Sequence, residues 1–251
     1  MQNPCTLIQF SDCHLFADVE RSGYAQCNPY HSLAAVLADI ARQPADAIVL
    51  TGDVLGEHDT TGYQHLSQLW QQADIGLPLH AIPGNHDEPD ALMATSSVQS
   101  MVDQGIPIGS HWMLHGLSSH YRGTLGQVTP DALDRLSARI AGHPERHHAV
   151  AVHHHPVAVN GWMDRHAWVN REAFATWLAA HPQVKFVLHG HTHMATEQTL
   201  ASTAILGCPS TCWQWANGAE FAVSDERPGY RMIHLGSDGQ WTTTVKRVVM
   251  V

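Results

Sequence analysis

The sequence predicts an α/β protein in which two sheets pack together with helices outside. Short β-rich runs alternate with helical patterns through the first three quarters of the chain, as repeated βα units do. From Thr196 onward the helical period disappears and strand-like runs follow one another. No low-complexity linker or internal repeat interrupts the 251 residues, so one domain spanning 1–251 is the economical reading.

The elements follow in order. Thr6–Phe10 reads as a strand, followed by a Gly/Asn/Pro loop. Tyr30–Arg42 carries Leu33, Val36, Leu37 and Ile40 at helical spacing. Ala47–Leu50 is a buried strand, and Thr60–Gln72 a second helix with Leu66, Leu69 and Trp70 on one face. Leu79–Ile82 is a third strand, ended by Pro83-Gly84. Residues 88–110 read as a short helix and a loop, and His111–His115 as a strand. Pro130–Ile140 follows Thr129, an N-cap side chain with proline at the first helical position. Ala149–Val152, Arg171–Ala180 and Val184–Leu188 continue as strand, helix and strand. Thr199–Leu206, Tyr230–Leu235 and Trp241–Val249 read as antiparallel strands, with a turn at Ser237-Asp238-Gly239.

Hydrophobic residues make up 44% of the chain, enough for a substantial core. With 23 acidic against 13 basic side chains the formal charge is −10, which argues against a nucleic-acid-binding surface. An anionic substrate is still served if bound metal supplies positive charge locally. Five cysteines show no zinc spacing, and an odd number without a secretory signal fits a reducing cytosol. Met1 to Phe10 lacks Lys and Arg, and no apolar run approaches the ~20 residues of a membrane span. The expectation is a soluble cytoplasmic protein with no membrane partner.

Five polar clusters each follow an apolar strand-like run: Asp12-Cys13-His14, Gly52-Asp53, Gly84-Asn85-His86-Asp87, His153-His154-His155-Pro156 and Gly190-His191-Thr192-His193. Ligands in open α/β proteins gather at such carboxyl ends of strands. Asp12 and His14 project to one side if the chain stays extended past Phe10, and His191 with His193 share that geometry. Gly52, Gly84 and Gly190 let the backbone turn tightly. Asp, Asn and His without thiolate favour Mn, Fe, Zn or similar ions, and the set is too rich for one structural zinc. A bridging carboxylate would allow two ions about 3.5–4 Å apart, the spacing of hydrolytic centres. No Gly-Lys-Ser/Thr phosphate loop and no serine elbow competes.

These residues resemble the five-block signature of the calcineurin-like metallophosphoesterase superfamily. More narrowly, they look like the class III 3′,5′-cyclic-AMP phosphodiesterases of bacteria. The similarity runs from Thr6 to about Val248, and includes Trp168-Val169-Asn170, Cys208-Pro209-Ser210-Thr211-Cys212 and Pro228-Gly229-Tyr230-Arg231. It implies a four-layer αββα sandwich of two mixed sheets flanked by helices. By resemblance, Asp12, His14, Asp53 and His193 hold one ion, and Asp53, Asn85, His154 and His191 the other, with Asp53 bridging. In the histidine triplet the resemblance selects His154 as ligand, leaving His153 as a strand-end residue and His155 beside the substrate pocket. His86 is implied to face substrate, with His155 and His193 as further substrate contacts, and Asn85 with His86 as the catalytic pair. The implied cofactors are two divalent ions, Fe or Mn, with Zn, Co and Mg as alternatives.

The activity implied is hydrolysis of 3′,5′-cyclic AMP to 5′-AMP by hydroxide held between the ions. Rival readings are a broader phosphodiesterase acting on 2′,3′-cyclic nucleotides or glycerophosphodiesters, a non-catalytic scaffold of the same fold, and a histidine-rich metal buffer. The partner is a small cyclic nucleotide, with a homodimer left open. Trp162, Trp168, Trp213 and Trp215 could stack on a purine but read first as packing, Cys208 and Cys212 as packed thiols, and Asp87 as a turn cap. Asn28 and His120 are loop residues within conceivable reach of the pocket.

Overall fold

The computed structural model describes residues 4–250; the ends of the expected 1–251 domain, residues 1–3 and 251, lie outside the described residues. The first of two six-stranded sheets runs Trp241–Arg247, Gly229–Leu235, Cys5–Phe10, Ala47–Leu50, Leu79–Ala81, Val98–Ser100. Its last four strands are parallel, and Gly229–Leu235 and Trp241–Arg247 add on antiparallel. The second sheet runs Glu197–Leu200, Thr203–Gly207, Val184–His189, His147–Ala151, Trp112–Gly116, Gly105–Ile108. Four parallel strands form its centre, with an antiparallel strand at each edge.

Side-chain alternation along the strands sets the layers. Leu7 and Val49 face the second sheet, whereas Ile8, Phe10, Ile48 and Leu50 face helices Pro29–Ile40 and Thr61–Ala73. Ala149, Ala151, Phe186 and Leu188 complete the core between the sheets. On the far side Val150, Val187 and Ile205 meet Leu133, Leu136, Phe174 and Trp177 of helices Pro130–Ala141 and Arg171–Ala179. The result is a four-layer αββα sandwich of two mixed sheets, as expected. Gln9, fully buried in the first sheet, donates from Nε2 to Thr51 Oγ1 and to the His189 carbonyl of the second. This link joins the sheets beside the loops that carry the polar clusters.

Most elements lie within two residues of their expected bounds. Thr129 Oγ1 accepts from Ala132 N, so the expected cap is present. Two expectations fail. Residues 88–110 hold helix Pro89–Met93 and two edge strands, Val98–Ser100 and Gly105–Ile108, rather than a helix and a loop. Pro107 sits in the outer of these, where a missing N–H does not interrupt the sheet. Thr199–Leu206 is not one strand but a hairpin turning at Ala201 (φ 55°), and its second arm runs parallel to Val184–His189. Trp168 is buried in the outer core and Asn28 caps helix Pro29–Ile40, so neither reaches the site.

Candidate metal centre

The clusters converge through their backbones first. Asp12 N donates to Gly52 O (3.0 Å), Cys13 N and His14 N both donate to Asp53 O (2.7 and 3.1 Å), and Leu15 N donates to Val54 O (2.8 Å). His191 N donates to Asp12 Oδ1 at 3.0 Å, tying the second sheet's loop to the first. Asp53 Oδ1 accepts from His86 N at 2.9 Å. Asp87 acts as more than a turn cap: its carboxylate accepts from Gly84 N, Val54 N, Leu55 N and the Tyr63 hydroxyl.

Asp12 (φ 57°), His14 (φ 48°), Asp53 (φ 54°), His191 (φ 67°) and His193 (φ 49°) all adopt the left-handed conformation. Asp and His tolerate it better than most residues, yet each such position costs on the order of 1 kcal/mol or more. The chain therefore does not stay extended past Phe10. Asp12 and His14 share a side because both residues turn through positive φ. Gly52 (φ 95°) is the one glycine of the clusters that uses this freedom; Gly84 and Gly190 are needed for space. A Cβ on Gly84 would lie 2.1 Å from Asp53 Oδ1, and one on Gly190 2.7 Å from Asp12 Oδ2.

Two donor groups result. Asp12, His14 and His193 bring ligand atoms together, as do Asp53, His153 and His191; a further overlap joins His86 to His14 and Asp53. His14 Nε2 lies 2.9 Å from His193 Nε2, so two ring nitrogens point at one space. The nitrogens turned away from the centre are anchored. His193 Nδ1 donates to Trp213 O (2.8 Å), His153 Nδ1 to Thr51 O (2.7 Å) and His191 Nε2 to His166 O (3.0 Å). A carbonyl only accepts, so each outer nitrogen carries a proton and the inner nitrogen is the ligand atom; on His153, held charged beside Asp53, that atom becomes free only when its own proton leaves.

Electrostatics agrees. Burial alone would raise the Asp53 carboxyl, but the adjacent His153 overrides it and holds Asp53 well below the usual carboxylate range. Burial likewise opposes ionisation of Asp12, and His193 outweighs it, so Asp12 is also lowered. Desolvation depresses His14 to about 3, reinforced by His193 and His86, and takes His191 well below its ordinary value. Burial would lower His153 too, but Asp53 pushes it up to about 9. Among the described residues neither Asp12 nor Asp53 has a Lys or Arg partner, so histidine alone answers the buried negative charge. Divalent cations fit this all-oxygen-and-nitrogen donor set.

Within the triplet the geometry departs from the expectation for His154. His153, not His154, reaches the centre: its Nε2 lies 3.3 Å from Asp53 Oδ2 and 3.2 Å from Asn85 Oδ1. The neighbouring His154 bonds Ser119 Oγ through Nδ1 (2.8 Å), and its buried Nε2 has no partner. The chain leaves strand His147–Ala151 two residues before the triplet, and it is the first histidine that faces the Asp53 loop. His155 does not line the adjoining cavity either; it is fully buried, with Nε2 3.4 Å from Asp164 Oδ1.

Asp53, Asn85, His86, His191 and His193 open onto a cavity of about 660 Å³, a size ordinary for small-molecule sites. Its other wall is aromatic: Tyr24, Trp162, Trp213, Trp215 and Phe221. Tyr24 and Phe221 were not singled out from sequence, since isolated aromatics in loops give no periodic signal. His120 is exposed on strand His120–Arg122 and is not part of the lining.

The family model for calcineurin-like phosphoesterases matches residues 5–195. The chain belongs to that family. Among curated relatives of this phosphoesterase, the 3′,5′-cyclic adenosine monophosphate phosphodiesterase CpdA of Pseudomonas aeruginosa is 34% identical over 247 residues, covering 96% of this chain and 89% of that one. The protein of the same name from Escherichia coli K12 is 32% identical over 248 residues, with the same coverage of 96% and 89%. Among solved structures, a dimetal phosphatase from Danio rerio aligns with TM-score 0.68 at 13% identity, covering 99% of this chain and 100% of that one. GAP50, the anchor in the inner membrane complex of Plasmodium, aligns with TM-score 0.67 at 10% identity, covering 100% and 90%. These likenesses show the fold, which an anchor protein and a phosphatase share. Among the described residues no helix is long and apolar enough to cross a membrane.

Proposed function

We propose that this phosphoesterase hydrolyses 3′,5′-cyclic AMP to 5′-AMP with the aid of two divalent cations, Fe or Mn, in the cytoplasm. One observation carries the reading: buried Asp, Asn and His donors from five separate strand ends converge around Asp53 at the floor of a nucleotide-sized cavity. The names of the relatives support the substrate.

In this reading Asp12, His14, Asp53 and His193 hold one cation, and Asp53, Asn85, His153 and His191 the other. When bound, such a pair brings the pKa of water from about 15.7 to near 7 and neutralises phosphate charge. The chain's own residues do the rest. Thr51, His166 and Trp213 carbonyls fix the ring orientations of His153, His191 and His193. Asn85 directs its amide toward the non-bridging phosphate oxygens. His86, whose backbone is pinned by Asp53 and whose ring lines the cavity, protonates the departing 3′ oxygen.

The test is a panel of phosphodiesters presented to the metal-reconstituted protein, with products identified. The highest kcat/KM is expected on cyclic AMP, with 5′-AMP as product. Preferential cleavage of 2′,3′-cyclic nucleotides or glycerophosphodiesters would replace this reading with a broader phosphodiesterase, and no cleavage of any diester would overturn it.

A further inference from the structure

We propose that Tyr24, Trp162, Trp215 and Phe221 form the subsite that stacks the base of the substrate nucleotide. This rests on the phosphodiesterase reading above and adds to it the substrate's second point of attachment.

The four rings come from three segments, Trp215 and Phe221 sharing one hairpin, and meet at interplanar angles of 60° to 79°. Tyr24 lies 5.1 Å from Trp215 and 5.5 Å from Phe221, and Trp162 lies 5.5 Å from Trp215 and 5.0 Å from Phe221, centroid to centroid. Core packing does not account for the cluster, because Tyr24 and Phe221 remain 50% and 51% exposed. All four line the cavity that contains Asp53, His86 and His193. The Trp215 ring stacks on the His193 imidazole at 4.8 Å and 17°, so the aromatic wall is continuous with the metal centre.

The wall is also held rigid. Gln214–Trp215 pairs antiparallel with Val223–Ser224. Trp162 N donates to Gly218 O (2.7 Å), Trp162 Nε1 to Ala216 O (3.2 Å), and Asn217 Nδ2 to Val159 O (2.9 Å). Trp162 thus spends its polar edge on the protein and keeps a ring face for a ligand. Preformed aromatic faces suit a flat heterocycle, since stacking needs no matching hydrogen-bond edge. A quaternary ammonium occupant is disfavoured. Outside the metal centre the acidic side chain in the lining is Glu57, and Arg21 already pairs with it at 2.6 Å.

The experiment compares Tyr24→Ala, Phe221→Ala and Phe221→Tyr on cyclic AMP, on its base-free analogue 1-deoxyribose 3,5-cyclic phosphate, and on a choline-bearing diester. Both alanine variants are expected to raise KM for cyclic AMP about tenfold, equivalent to about 1.4 kcal/mol, with kcat within about twofold. Phe221→Tyr restores the wild-type KM, and KM for the base-free compound does not move. An unchanged KM for cyclic AMP, or an equal rise on both cyclic compounds, overturns the subsite alone. So does a rise confined to a choline-bearing diester. Failure of the wild type to cleave either cyclic compound overturns the phosphodiesterase reading instead.

Discussion

His153 Nε2 stands 3.3 Å from Asp53 Oδ2, while its Nδ1 is committed to the Thr51 carbonyl. The ring is therefore oriented before any cation arrives, and the proton on Nε2 occupies the position a cation would take. His153→Ala is expected to lose half of the bound metal by elemental analysis, whereas His154→Ala retains it. Metal lost in His154→Ala and retained in His153→Ala would return the ligand role to His154.

His86 offers a sharper separation of roles. Its ring lies in the cavity beside His14, at a centroid distance of 5.0 Å. If it donates a proton rather than holding metal, His86→Ala should cut kcat by roughly 10²–10⁴ and leave metal content intact. Metal loss in that variant would make His86 a ligand.

Gly84 is expected to be intolerant for a reason of distance rather than flexibility. Gly84→Ala places a methyl 2.1 Å from Asp53 Oδ1, so the carboxylate has to move. Metal affinity measured by competition with a chelator should fall by at least about tenfold, with little change in far-UV circular dichroism.

Asp87 supports the centre from behind. Asp87→Ala leaves the Gly84, Val54 and Leu55 N–H groups without their acceptor in a buried setting. A loss on the order of 2–4 kcal/mol is expected in urea unfolding, and Asp87→Asn, which keeps one acceptor oxygen, should recover part of it.

The metal-free protein should weaken in mild acid. Burial depresses His14, His115 and His189 to about 3 and His155 to about 4. These groups fold neutral, so the stability linked to them is complete above about pH 6.5 and declines as the unfolded chain takes up protons below it. Asp87, raised to about 6 by burial and by Asp53, works the other way, as does His153, raised to about 9, but these are two groups against several. Unfolding midpoints measured in chelator should fall steadily from about pH 6.5 to 5; a flat profile would contradict the burial of these rings as neutral imidazoles.

What the sequence could reveal depended on the kind of signal. Thr129-Pro130 and the apolar rows of Leu33, Val36, Leu37 and Ile40 announce a cap and a helix face because local chemistry decides them. Polar clusters behind apolar runs located the strand-end loops. Three consecutive histidines contain no period, so which of them turns toward Asp53 depends on where strand His147–Ala151 stops, a tertiary matter. The edge strands Val98–Ser100 and Gly105–Ile108 are three and four residues long and owe their conformation to the strands beside them. Likewise the left-handed turns at Asp12 and His14 follow from backbone bonds to Gly52 and Asp53, forty residues away in sequence.

The pairing of Gly229–Leu235 against Cys5–Phe10 has a consequence for the protein's birth on the ribosome. The strand that delivers Asp12 gains its antiparallel neighbour only once Gly229–Leu235 has been synthesised. Until then the sheet edge beside that strand stays open, a row of unpaired N–H and C=O groups that another extended segment could join.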